Sequence, residues 1–207
     1  MAWLDACGFL SDPRDQSADT RTVYSQPSLQ LVGGRGAAET LDLPALQGKG
    51  VRLVGRVLSA SGREVALSPD LPRQVAEAEN RRGRLLDRID AHIAASGVAA
   101  PEEGDRRPTP RLPGSPDRLD LKQAGIATVI WATGFRRAYP WLNVPVTDAQ
   151  GEIVNRGGVT ATPGLFTLGL PFMRHRASTF IDGVGRDAEA LAPEIAGYLE
   201  KTAAKAA

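Results

Sequence analysis

Between Pro101 and Pro116 the chain reads PEEGDRRPTPRLPGSP, a stretch holding five prolines among several charges. Proline has no amide donor and its ring fixes φ, so a stretch this dense in it suits neither a helix interior nor a central strand. The composition predicts a linker or long surface loop over residues 101–118. Regular structure must then collect on either side, in residues 1–100 and 119–207.

On the N-terminal side, residues 26–46 read as loop, with the glycine cluster GGRG at Gly33 to Gly36. Val51 to Leu58 (VRLVGRVL) is rich in β-formers, and Arg63 to Leu67 (REVAL) follows the turn signal Ser61-Gly62. That pattern predicts a β-hairpin ending near Pro69. From Arg73 to Ala95 the apolar positions Val75, Ala78, Leu86, Ile89 and Ile93 recur at three- and four-residue spacing, which predicts one helix with its stop at Ser96-Gly97. Gly83 inside it costs ~1 kcal/mol relative to alanine, enough to bend or fray the middle. Its charged residues, Glu77, Arg81, Arg84 and Arg88 among them, read as a solvated face.

On the C-terminal side, an apolar run ending in glycine occurs twice, as VIWATGF at Val129 to Phe135 and LFTLGLPF at Leu165 to Phe172. Apolar runs such as Thr128 to Ala132 and Leu165 to Leu168 suit buried parallel strands, which predicts that Gly134 and Gly169 close neighbouring strands. In open α/β sheets ligands gather at such strand ends, and a glycine lets them approach, so Thr133, Gly134, Gly169 and Leu170 are candidate binding residues. Each glycine alternatively makes only a tight turn. A last helix should begin near Asp182-Gly183, with Asp182 as N-cap and Leu191, Ile195 and Leu199 spaced four apart. Pro193 should kink or divide it. The amides opening this helix, in FIDGVGRDAEAL, could meet a phosphate or the electron-rich edge of a reduced flavin.

Charge and composition remove several function classes. With 25 basic and 24 acidic residues and a formal charge of +1, no broad field draws nucleic acid or an anionic membrane, and neither partner is expected. Cys7 is the only cysteine, which excludes an intrachain disulfide and thiol-pair redox chemistry and fits a reducing cytoplasm. The opening MAWLDACGFLSDPRD has no signal-peptide pattern, and a soluble, cytoplasmic protein is expected. His92 and His175 lack the His/Cys company of a metal site. Arg174, His175 and Arg176 suit a solvated basic loop or contacts to a phosphate or carboxylate. Ser178 has no nucleophile elbow around it, so hydrolase chemistry has no support.

The order VIWATGFRRAYPWL, then VTATPGLFTLGLPFMRHRASTFIDGVGRDAEALA, resembles the C-terminal region of bacterial flavin-containing-monooxygenase-like oxidoreductases, whose FAD domain is interrupted by an NADPH domain. WLDACGFL, QPSLQLVG, LDLPAL and GVRLVGRV likewise resemble the later part of that NADPH domain. The resemblance implies an α/β, Rossmann-like fold. Residues 1–100 would be the later part of an NAD(P)H-binding domain and 119–207 the C-terminal part of an FAD-binding domain. It also implies FAD and NADPH as cofactors and a small-molecule substrate. Ala132 to Gly134 would mark the return to the FAD domain, with Gly169, Asp182 and Gly183 along the flavin.

A departure accompanies the match. Such a protein should carry one G-x-G-x-x-G loop for FAD and a second for NADPH, and this sequence has neither. The nearest approach, Gly34 to Glu39, follows a polar loop in place of a strand and lacks the final small residue. The expectation is therefore an FAD/NADPH oxidoreductase of which this chain supplies one wall of the flavin site, without the N-terminal βαβ units. The alternatives are a truncated, non-catalytic product or an α/β interaction module without independent activity.

Overall fold

A computed structural model describes residues 2–14, 42–100, 110, 112, 115–135 and 137–206. The glycine cluster Gly33 to Gly36 and most of the proline-rich stretch lie outside these residues. The chain divides into two compact units, Ser25–Ala132 and Met1–Tyr24 with Thr133–Ala207.

The described residues of the first unit are built from local signals. Helix α1 (Ala2–Ala6) belongs to the second unit; α2 (Leu43–Gly48) opens the described part of this one. Asp42 caps α2 by accepting a hydrogen bond from the Ala45 amide at 2.8 Å, with proline in the first turn, where a missing amide costs nothing. Strands β1 (Val57–Ser61) and β2 (Glu64–Leu67) pair antiparallel around Gly62, whose φ of 57° suits glycine. The expected hairpin is there, but its first strand begins at Val57 and not Val51. Strand β3 (Arg118–Asp120), which starts at the last residue of the expected loop, adds to β2 with Val65 opposite Leu119. Alternation buries Val65 and Leu67 and leaves Glu64 exposed. Beneath β1, the Gly55 backbone lies so close to Ser68 that a Cβ there would stand 1.8 Å from the Ser68 carbonyl oxygen.

Helix α3 (Leu71–Ser96) buries Val75, Ala78 and Leu85 and runs unbroken through Gly83. It stops where expected, at Gly97, whose φ of 65° is the left-handed cap and whose amide bonds the Ile93 carbonyl.

The run Thr128 to Ala132 was expected to be a buried parallel strand, and this is corrected: it carries no strand, and its residues are exposed. A central parallel strand needs a ladder on both flanks. The sheet among the described residues is the three-stranded antiparallel β1-β2-β3, which offers none to this run. Leu165 to Leu168 is also not a strand; Phe166 forms only an isolated antiparallel bridge with Val159. The two runs even fall in different units. The α/β composition holds, as a mixed helix and antiparallel-sheet structure.

The second unit is mostly turns and short antiparallel bridges closed by one long helix, α4 (Val184–Ala206). Asp148 organises a tight turn by accepting from the amides of Gln150 and Glu152, both at 2.9 Å, so Thr147 pairs with Ile153. Gly158, at φ 96°, brings its backbone against α4: a Cβ there would lie 2.7 Å from the Thr167 carbonyl oxygen and 3.0 Å from Leu191. Further along α4, Tyr198 meets Phe166 edge to face at 6.0 Å.

Two expectations about this helix are corrected. It begins at Val184, so Gly183 and not Asp182 immediately precedes it; of the two outcomes expected at Pro193, a kink or a division, the division does not occur. Its inward stripe also differs. Leu191 is buried, but Leu199 is exposed, while Asp187 and Tyr198 face inward with Leu191. At ~100° per residue a strict four-residue repeat drifts by ~40° each step, which carries Leu199 off the stripe and leaves Asp187, Leu191 and Tyr198 within about 40° of one another. Among the described residues no helix is long and apolar enough to cross a membrane.

Candidate functional site

The turn from Gly169 to Gly183 joins the bridged segments to α4 and holds four of the six candidate residues. Gly169 has φ 78° and open space where a Cβ would stand, so it turns the chain without a close neighbour. The Leu170 amide donates to Met173 Sδ at 3.3 Å, and Met173 is completely buried. Phe172 follows with a φ of 50°, a left-handed conformation rare for an aromatic residue.

Ser178 pins the next part. Its Oγ accepts from the amides of Arg174 and His175, both at 3.1 Å, and its hydroxyl donates to the His175 carbonyl at 2.7 Å. The hydroxyl is thus spent on the backbone, in agreement with the absence of a nucleophile elbow. The N-terminal segment clamps the outside of this turn: the Arg14 amide donates to the Arg174 carbonyl at 2.8 Å and the Ala177 amide to the Leu10 carbonyl at 3.1 Å. Arg176 stacks over Phe9 at 4.5 Å and Phe172 at 5.3 Å, and its Nε lies 3.4 Å from Asp12. Arg186 on α4 donates to Ser11 Oγ at 2.7 Å. Arg176 is therefore a packing residue, a role its basic neighbours did not suggest.

Gly183 has no freedom at all. An added Cβ would stand 2.0 Å from the Ala177 carbonyl oxygen, so only glycine lets the turn press against the start of α4. The amides of Gly183 and Val184 both donate to the Phe180 carbonyl, at 3.0 and 2.9 Å, so they are satisfied within the turn. Asp182 is exposed beside them. Thr133 and Gly134 are exposed too, with Gly134 at φ 81° and open space around it. Among the described residues no hydrogen bond or ion pair joins Thr133 or Gly134 to the 169–183 turn.

Sequence reasoning missed the most buried polar pair of the unit. His175 Nε2 lies 3.1 Å from Asp187 Oδ1, and the Asp187 side chain is fully buried. The approach is close but poorly aligned, and neither imidazole nitrogen nor either carboxylate oxygen makes a hydrogen bond. The signal was present: Asp187 sits four residues before Leu191, a carboxylate on an apolar stripe. Tyr139, in FRRAYPWL, likewise buries its hydroxyl without a partner. Burial pushes the Tyr139 phenol up from its ordinary value, against the pull of Arg137. Among the described residues no cluster of histidine, cysteine, aspartate or glutamate could hold a metal ion.

Three curated bacterial proteins share a part of this sequence. The chain is 44% identical over 80 residues to a protein of Geobacillus kaustophilus named "Uncharacterized oxidoreductase CzcO-like", a match covering 38% of this chain and 23% of that protein. It is 40% identical over 79 residues to "Uncharacterized oxidoreductase CzcO" of Bacillus subtilis and 37% identical over 79 residues to the protein of that name from Bacillus velezensis. The aligned part of the chain thus spans about a quarter of the length of these relatives, 23% in each case. No family model matches the chain, and no solved structure does.

Proposed function

We propose that this chain is the C-terminal part of an FAD-dependent oxidoreductase that uses NADPH and is monooxygenase-like. The observation that carries this reading is the 44% identity over 80 residues to a protein named an oxidoreductase, with two further relatives of the same designation. The combination of the ATG segment at Ala132 to Gly134 with LGLPF and DGVGRDAE is the sequence support for a flavin as the cofactor.

The residues present fit one side of such a group. Gly134 and Gly169 leave open backbone that a planar ring could approach, and Asp182 presents an exposed carboxylate next to α4. When bound, the flavin supplies hydride acceptance and electron transfer. The protein's part is to orient it and exclude water. In this reading Gly183 acts through shape: by letting the 174–183 turn close on α4 it sets the position of Asp182 and of the exposed Gly185, and it does not itself touch the ring. The amides that hold both pyrophosphates belong to glycine loops outside this sequence.

The test is a titration of the purified 207-residue chain with FAD, followed by flavin fluorescence, and an NADPH-oxidation assay. Weak FAD quenching without NADPH turnover is the expected result, because one wall of a site binds weakly. Loss of that quenching in Thr133→Glu, at an exposed position without a left-handed backbone, would tie it to the proposed wall. No quenching at any FAD concentration would leave only the oxidoreductase resemblance standing.

A further inference from the structure

The second unit contains a cavity of about 680 Å3 that none of the flavin reasoning uses, lined by Asn155, Arg156, Gly157, Thr160, Arg174 and Glu194 among others. All of these belong to one unit. The size lies within the ~300–1,000 Å3 range of small-molecule sites.

Its polar groups fall into two sets. Asn155 and Thr160 are spent on the loop: Asn155 Oδ1 accepts from the Gly158 amide at 3.1 Å and the Thr160 hydroxyl donates to the Leu165 carbonyl at 2.8 Å. The two guanidinium groups are not. Arg174 Nε is buried without a hydrogen-bond partner, and no ion pair within the described residues engages the guanidinium of Arg174 or Arg156.

The loop is also shaped around Arg174. Gly157 turns at φ 57°, and a Cβ on it would come 3.0 Å from Arg174 Cζ and 3.3 Å from Nε. The glycine thus lets the backbone lie against the guanidinium and hold it at the cavity wall.

We infer that this cavity binds a small oxyanion, a phosphate or carboxylate group, between the guanidinium of Arg174 and that of Arg156. Planar guanidinium forks match such groups bidentately, and Arg174 and Arg156, both on the cavity lining, supply the terminal nitrogens for it. Glu194 on the same wall carries the opposing charge, so it weakens the site toward ions of higher charge and orients a ligand with its anionic end away from α4. The inference stands independently of the flavin reading, since it concerns the chain without that cofactor.

Isothermal titration of the full chain with inorganic phosphate and, separately, with succinate tests it, at about 0.15 M NaCl to screen surface attraction. Saturable binding of either is expected, and which of the two binds distinguishes a phosphorylated from a carboxylate ligand. Arg174→Gln should weaken binding at least about tenfold. Arg156→Gln, at an exposed position that does not threaten the fold, should weaken it severalfold. Glu194→Gln should tighten it, whereas Glu200→Gln, an exposed carboxylate on the same helix that does not line the cavity, should not, which separates the site from nonspecific charge attraction. If Arg174→Gln does not fold, Arg156→Gln and Glu194→Gln decide alone. Absence of saturable heat with both anions, or unchanged affinity in Arg156→Gln and Glu194→Gln, overturns the inference.

Discussion

His175 Nε2 stands 3.1 Å from Asp187 Oδ1, joining the turn before α4 to the fourth residue of that helix, and the carboxylate is sealed from solvent. Removing the polar neighbour of a sealed carboxylate is strongly destabilising, although such a pair itself contributes little over an apolar substitute. His175→Ala should therefore cost about 3 kcal/mol, and the double replacement His175→Leu with Asp187→Leu should cost less than the single change. Urea denaturation of the three proteins checks this. Equal midpoints for wild type and His175→Ala would show that the pair carries no such energy.

Gly183 and Gly185 are two residues apart and should respond in opposite ways. Gly183→Ala places a Cβ 2.0 Å from the Ala177 carbonyl oxygen, whereas nothing lies within 4 Å of that position at Gly185. The first change forces the turn off α4 and should destabilise by roughly 2 kcal/mol. The second should be neutral or stabilise by up to ~1 kcal/mol, since alanine is the better helix former. Thermal melts of both variants decide it, and similar shifts would contradict the close approach.

The start of α3 should depend on acid. Hydrogen bonds from Ser68 and Gln74, followed by the charges of Arg73 and Arg56, hold the Asp70 carboxyl below the ordinary aspartate range. Its folded pKa is depressed, so its contribution is present above the unfolded aspartate value and is lost as pH falls through the lower, folded value. Helical circular dichroism should fall in that acidic window, and less so in Asp70→Asn, which has already lost the charge. Identical acid transitions in the two proteins would remove Asp70 as the cause.

An uncovered apolar stretch should make the chain associate. Ile130 is 84% exposed and Trp131 70%, next to exposed Val129, with no charge between Ala124 and Phe135. Stretches of this kind pair with other chains. Ile130→Lys should raise the concentration at which light scattering begins, while Ala94→Lys on the exposed face of α3 should not. Equal onset for both would place association elsewhere.

Much of the first unit could be read in advance because its signals are local. Ser61-Gly62 marked the hairpin turn, and Ser96-Gly97 marked the end of α3 within a residue. Turn chemistry, capping and helical period act over a few residues, and those residues are adjacent in the sequence. In the second unit the four-residue spacing of Leu191, Ile195 and Leu199 drifts off the buried stripe, and Tyr198 lies there in place of Leu199.

Pairings across the chain were not legible. Asp187 was part of a helix-start motif with no sign that His175 would meet it, and Arg176 read as one of a basic cluster until Phe9, Phe172 and Asp12 surrounded it. Gly183, read as a cofactor-facing residue at the helix start, gave no sign that it would be pressed against the Ala177 carbonyl.

By itself the sequence determined where the β1-β2 hairpin turns, where α3 ends, and the chain's likeness to oxidoreductases, because each of those rests on residues close in the chain or on their order. Tertiary structure alone decided that Thr128 to Ala132 lies exposed without a strand and that Arg174 lines a cavity. Both outcomes depend on which distant groups supply hydrogen-bond partners, and a residue's identity fixes the need for a partner but not its presence.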